Sequence, residues 1–268
     1  MRIIDAHVHV LDNYKPMTPF QDAGSSERLL SHMDECGVEK AVMLPVVADF
    51  SPDNNRECAD LVRRHPDRFA ILADVPMHEP DAAARVLAAG EDLGAVGTSY
   101  YPSTPDLAWM LEPDRTPLWD AYETSGLVCN LQVGPPNYAV FLQLARQHPG
   151  ISFVLNHLGL PGSLDPEDES YGGLMAGAAL PNIFIKASAF YASAATPWDF
   201  RCPQALGFFS RLLEGFGTDR LLWGTDWPPT SRNLTYRQAL EVVRTFAGLD
   251  EAALTQVLGG NAARVFGI

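Results

Sequence analysis

The chain is 268 residues long, 47% of them hydrophobic, with four cysteines and a formal net charge of −14. That length and apolar content suffice for a full buried core, and a strongly acidic balance without a basic cluster argues against nucleic acid as a partner. The longest apolar runs, such as AVMLPVVA over 41–48, fall far short of the roughly 18 residues a membrane span needs.

Cys36, Cys58, Cys129 and Cys202 show no CxxC spacing, so reduced, packed thiols are expected instead of a zinc knuckle or a redox pair. Strand-like residues begin at Arg2 and Ile3, which leaves no basic and apolar leader ahead of them, and a cytoplasmic location is expected. A small-molecule substrate is the expected partner, and homo-oligomerisation is left open.

In chain order, apolar clusters predict strands at about 2–10, 39–47, 68–75, 94–99, 126–133, 150–157, 182–188 and 219–226. Segments with helical spacing lie between them, at 26–37, 53–66, 80–94, 115–126, 137–150, a weak 171–180, and 203–217. A last pair, 234–248 and 250–268, closes the chain. Several of these start at Ser, Asp or Asn and stop at Gly or before Pro, the usual cap signals. Eight short strands alternating with helices imply parallel pairing with both faces covered, and a chain of this size predicts one (β/α)8 TIM barrel, a single α/β domain over 1–268. An open doubly wound sheet is the alternative, but no Gly-rich phosphate loop follows the first strand.

In such a barrel chemistry belongs at the C-terminal ends of the strands. The first strand, IIDAHVHV, alternates Asp5, His7 and His9 on one face. Alone, an HxH pair is as well explained by two satisfied structural histidines. The sixth strand, however, ends FVLNHLG with His157, and the eighth ends LLWGTDWPP with Asp226. A carboxylate at the end of a buried strand is costly unless it is paired or used. These four side chains suit two tasks: holding one divalent ion that polarises water, or, without metal, letting Asp226 deprotonate water while the imidazoles hydrogen-bond a carbonyl oxygen. Both lead to hydrolysis.

DAHVHV, LNHLG, NIFIKAS, LLWGTDWP and the closing GGNAARVFGI together resemble the amidohydrolase superfamily of barrel hydrolases. More narrowly the chain resembles the amidohydrolase-related branch that holds 2-pyrone-4,6-dicarboxylate lactonase and sugar-lactone hydrolases. The resemblance implies that His7, His9, His157 and Asp226 are catalytic, with Asp226 the water-activating base. It implies a metal site of His7, His9 and Asp226, helped by His157, for zinc or manganese. Two departures make that metal optional: the fifth strand offers Asn130 and Gln132 where the family carries a histidine, and the fourth, GAVGTSYYP, has no lysine to be carboxylated.

The expected activity is therefore opening of a lactone of a small anionic or sugar-derived metabolite. Metal-dependent decarboxylation of an aromatic or unsaturated acid, and a barrel repurposed for hydration or cyclisation, are the alternatives. Candidate substrate contacts are Tyr100 and its neighbour Tyr101, Gln132, Lys186, Tyr191 and Trp227, with a structural ion pair competing for Lys186 and core packing for Trp227. Arg201 and Trp198 lie in a Pro-rich loop; solvated surface is the expectation for the first, and an aromatic wall or packing for the second. The acidic LDPEDES over 164–170 reads as solvated loop, and 159–175 as a candidate lid.

Overall fold

The computed structural model describes residues 1–11, 22–102, 105–196 and 198–268, so Pro197 of the Pro-rich loop lies outside the described residues. Eight parallel strands form one sheet in the order of the chain, a (β/α)8 barrel. The alternation runs β1 (Ile4–Val8), α1 (Ser26–Cys36), β2 (Lys40–Met43), α2 (Asn54–Arg64), β3 (Phe69–Asp74), α3 (Ala82–Leu93), β4 (Gly97–Tyr100) and α4 (Thr116–Ser125). It continues with β5 (Val128–Leu131), α5 (Tyr138–Gln147), β6 (Phe153–Leu155), α6 (Glu169–Gly172), β7 (Ile183–Ala187), α7 (Pro203–Phe216), β8 (Leu221–Trp223), α8 (Tyr236–Phe246), α9 (Glu251–Thr255) and α10 (Asn261–Phe266).

Local chemistry sets the helix ends. Ser25 caps α1 by accepting from Arg28 N, and Thr235 and Gln238 form a reciprocal capping box on α8. The weak helix expected over 171–180 is instead the single turn of α6 followed by a 3-10 stretch over Gly173–Ala179, as a segment of three Gly and three Ala with few anchors allows. The expected terminal helix is interrupted by a π-turn over Gln256–Gly260. There Gly259 packs on the Arg2 carbonyl, where any Cβ would collide with it.

Two apolar layers result. An inner cluster of Ile4, Ala6, Val42, Leu44, Leu72, Val128, Val154, Phe184 and Leu222 fills the barrel and is sealed by Ala262 and Phe266 of α10. A larger outer cluster packs strands on helices. Among the described residues no helix is long and apolar enough to cross a membrane.

Candidate active site

The barrel closes where the functional side chains meet. Beyond the end of β8 the chain joins β1 through Asp226 N donating to His7 O (2.9 Å) and His9 N donating to Trp227 O (2.7 Å), a parallel bridge between Val8 and Trp227. This approach needs Gly224: a Cβ there would lie 2.9 Å from His7 N, 3.0 Å from His7 Cβ and 3.3 Å from Asp5 Oδ1. Asp226 itself adopts φ 61° and His157 φ 53°, left-handed conformations that cost non-glycine residues energy and tend to mark functional sites.

The register of β1 slips between Asp5 and Val8, and the slip decides which side chains look inward. Ile4 and Ala6 belong to the inner layer, yet Val8 belongs to the outer one. Strict alternation is broken by the irregularity, which turns His7 and His9 to the barrel axis while Asp5 faces the helices. The expectation that Asp5 shares a face with the histidines is thus corrected. Asp5 instead accepts from His7 N (3.1 Å), Thr225 N (2.9 Å), Thr225 Oγ1 (2.6 Å) and Tyr236 OH of α8 (2.9 Å), tying β1, the β8 turn and α8 together. Burial pushes its carboxyl up to about 6, against the pull of these donors.

At the axis, His7 Nε2, His9 Nε2 and Asp226 Oδ1 form a triangle with edges of 3.3, 3.5 and 3.2 Å. His157 joins it, with its ring centroid 4.4 Å from that of His7. Ligand atoms of His7, His157 and Asp226 all lie within 4.8 Å of one another. The other ring nitrogens have partners: His9 Nδ1 meets Leu44 O at 2.7 Å and His157 Nδ1 meets Ser188 Oγ at 2.9 Å. Lys186 Nζ, fully buried, lies 3.4 Å from His7 Nδ1, and Tyr191 OH donates to Asp226 Oδ2 at 2.7 Å.

The electrostatics follow from burial and from this crowding of ring nitrogens. Burial raises the Asp226 carboxyl, but His157, His9 and the Tyr191 hydroxyl outweigh it and hold the group below its ordinary value. Burial, with Lys186 and His9 adding to it against Asp226, pushes His157 down to about 4, a neutral ring at physiological pH. His7 is driven well below its usual value by burial and by Lys186, and Lys186 well below its own by burial.

The donor set fits a divalent ion. Ligands about 2.0–2.1 Å from a tetrahedral ion stand about 3.4 Å apart, which matches the edges of the triangle. His9 adds a second reason. Its Nδ1–H donates to the Leu44 carbonyl, so a neutral ring points a bare Nε2 at the Asp226 carboxylate, and two acceptors face each other unless a cation or a proton lies between them.

Other candidates fall elsewhere. Tyr100 packs in the outer layer with its hydroxyl 3.3 Å from His78 Nδ1 and its ring against Trp109, because alternation along β4 sends it away from the axis. Tyr101 is the residue that looks inward, packed on the inner cluster with its ring 6.4 Å from that of His9. Trp227 is likewise core, buried in the outer layer against His32, since its backbone closes the seam and its side chain points to the helices. Gln132, half-buried, follows β5 and donates its backbone N–H to Tyr100 O (3.2 Å). Arg201 is exposed and paired with Asp199, and Trp198 is 84% exposed. The 159–175 segment is anchored rather than lid-like, with Tyr171 buried on Phe208 and donating to Leu158 O. Asn156 and Ser188 did not stand out in the sequence, though Asn156 lies two residues beyond inward-facing Val154 and alternation alone would have marked it.

A barrel that gathers three imidazoles and a carboxylate at the carboxyl end of its strands has the make-up of a barrel hydrolase. The chain belongs to the amidohydrolase family, whose sequence model matches residues 4–268. It is 26% identical over 238 residues to an L-fucono-1,5-lactonase of Burkholderia ambifaria, covering 84% of this chain and 80% of the relative. The fold is shared with a probable 2-pyrone-4,6-dicarboxylic acid hydrolase of Acinetobacter baumannii with citric acid bound (22% identity, TM-score 0.80, all of both chains). It is shared as well with a zinc-bound amidohydrolase of Burkholderia multivorans (19% identity, TM-score 0.82, all of both chains).

Proposed function

We propose that the protein hydrolyses a lactone, with Asp226 as the base that activates water. The observation that carries this reading is the triangle of His7 Nε2, His9 Nε2 and Asp226 Oδ1 beside neutral His157. The L-fucono-1,5-lactonase relative supports the same reaction class. Asp226, ionised at neutral pH, takes a proton from water, and the oxygen attacks the lactone carbonyl carbon. The ring C–O bond then breaks, the departing ring oxygen takes the proton that Asp226 removed from water, and a hydroxy acid is left. His7 and His157 flank the position where negative charge develops on the carbonyl oxygen, while His9, its Nδ1–H held by Leu44, contributes there through the proton or ion that its Nε2 shares with Asp226. Tyr191 fixes the orientation of Asp226 through Oδ2 and leaves Oδ1 to face the reacting atoms.

His7, His9 and Asp226, with His157 adjoining, are the residues that would hold zinc or manganese, and such an ion would supply Lewis-acid polarisation of the carbonyl. Metal analysis of the purified protein, followed by turnover of a lactone panel and an aromatic-acid panel with and without chelator, tests the proposal. Ring opening of a lactone is expected. Carbon dioxide release from an aromatic acid, with every lactone left intact, refutes it in favour of decarboxylation.

A further inference from the structure

At the end of β7 lies a buried hydroxyl that the proposed chemistry leaves unused. Ser188 has no solvent exposure, and its Oγ stands 2.9 Å from His157 Nδ1, the only hydrogen-bond partner of that hydroxyl among the described residues. The turn that carries His157 is pinned separately: Tyr138 OH of α5 donates to the Gly159 carbonyl and Tyr171 OH to the Leu158 carbonyl. The His157 backbone is thus placed without Ser188, and what Ser188 adds is a fixed partner for one ring nitrogen. With Nδ1 turned to Ser188, Nε2 is the nitrogen left to face His7 and Asp226.

A neutral imidazole carries one proton, and burial keeps the His157 ring neutral. Were that proton on Nδ1, it would donate to Ser188 Oγ, and the serine hydrogen would be left buried with no acceptor, at the cost of an unmade hydrogen bond. If instead the hydroxyl donates to Nδ1, the serine hydrogen is used and the ring proton sits on Nε2. The Asp226 carboxylate favours the same arrangement, since it attracts an N–H and repels a lone pair. We propose that Ser188 is a positioning residue: its hydroxyl holds the His157 proton on Nε2, so that His157 offers the reacting centre a hydrogen-bond donor. His9 is set the opposite way, because the Leu44 carbonyl can only accept and draws the proton to Nδ1. A serine hydroxyl and a backbone carbonyl thereby give two imidazoles of one site different tasks, a hydrogen at His157 and a lone pair at His9. The inference rests on the lactonase reading for the reaction it serves, in which that hydrogen meets the carbonyl oxygen as charge develops there. Ser188 itself, fully buried, acts only through the ring.

The test reads the proton directly. Long-range nitrogen–proton NMR of the chelator-treated protein at neutral pH, with isotope-labelled histidine, gives the tautomer of each ring, and His157→Gln identifies the His157 signals. In the wild type the proton is expected on Nε2, with the Nδ1 resonance shifted by the serine hydrogen bond; a proton on Nδ1 overturns the inference. Ser188→Ala leaves the two tyrosine contacts in place. It should lose that shift and lower kcat for an opened lactone about tenfold with KM within about twofold, because the donor acts on charge that develops only in the transition state. Ser188→Thr keeps the hydroxyl and should restore the shift and most of kcat. Wild-type kcat in Ser188→Ala, or equal losses in both variants, would mean that the serine only fills space, and overturns the inference. If no lactone is opened, a wild-type proton on Nε2 whose Nδ1 shift is lost in Ser188→Ala and kept in Ser188→Thr leaves the role of Ser188 standing, and the lactonase reading falls alone.

Discussion

Gly224→Ala is the sharpest perturbation of the seam. A new Cβ would stand 2.9 Å from His7 N and 3.0 Å from His7 Cβ, both on the backbone side of a paired strand and unable to swing away. Restoring contacts of about 3.4–4 Å requires β8 and β1 to separate by roughly half an ångström, which as overpacking costs about 1–3 kcal/mol. For a chain of this size that is a fall in Tm of roughly 3–10 °C. The same displacement parts Asp226 from His7 and His9, because it stretches the backbone hydrogen bonds from Asp226 N and His9 N that join them across the seam. Misplacing reacting groups by a fraction of an ångström to an ångström costs up to about 10²-fold in rate, so kcat should fall by more than the stability loss explains. Denaturant unfolding and lactone kinetics, run beside Gly150→Ala, provide the measurement, since a Cβ at Gly150 meets nothing within 4 Å. If Gly224→Ala unfolds and turns over like Gly150→Ala, the argument that closure of the barrel builds the site is wrong.

Asp226→Asn should fold and lose at least about 10²-fold in kcat, the usual contribution of a general base; a folded variant with full rate removes Asp226 from that role. Lys186→Met replaces a fully buried amine with an apolar chain of similar length and should leave Tm equal or higher while lowering kcat, and a large fall in Tm would show that the amine is structurally paired. In the pH profile, His157 is neutral above about 4 and Asp226 titrates below its ordinary value, so kcat/KM should stay level from roughly pH 7 to 5 and fall near 4. An acid limb centred at 6 to 7 would contradict it. Stability should show two opposed linkages. Asp5, raised from 3.8 to about 6, contributes stability that is full below 3.8 and lost as pH rises through 6. His157, lowered from 6.5 to about 4, contributes stability that is full above 6.5 and lost as pH falls through 4. Each amounts to roughly 3 kcal/mol, and His7, lowered by burial as well, adds to the His157 side. Between about pH 4 and 6 the unfolding free energy should therefore rise with pH more steeply in Asp5→Asn than in the wild type and less steeply in His157→Asn; parallel curves would refute the assignment.

All eight strands were legible because each is a short apolar run buried on both faces, which leaves little room for another reading. Their ends ran two to four residues too far in places, as at 150–157 against Phe153–Leu155, because strand-like composition continues into the turn that carries His157. Residues at strand ends, His157 and Asp226, were found by position alone. What pattern could not supply was phase. Alternation put Asp5 with the histidines and gave no reason to prefer Tyr101 to Tyr100, and a single slip in β1 settles the first while the outward turn of Tyr100 at the end of β4 settles the second. Asn156 escaped because nothing in the pattern shows that a buried amide at the end of β6 lies beside the His7 ring.

The uncertain metal of the sequence reduces, in the structure, to the position of one proton. His9 is fixed by the Leu44 carbonyl with its proton on Nδ1, so its Nε2 is bare in the neutral ring. His7 lacks a backbone anchor of that kind; its Nδ1 faces the Lys186 amine at 3.4 Å, with the Asn156 amide also hydrogen-bonded to the ring. If Lys186 donates to that nitrogen, the His7 proton sits on Nε2 and fills the triangle by hydrogen-bonding to His9 and Asp226, and no ion is needed. If the neutral amine accepts from His7 Nδ1–H, both Nε2 atoms are bare and the triangle is open to a cation. Burial that drives Lys186 well below its ordinary value makes the second state reachable. The loss of a fifth-strand histidine therefore matters less than the lysine on β7, because Lys186 sets whether His7 offers the centre a hydrogen or a lone pair.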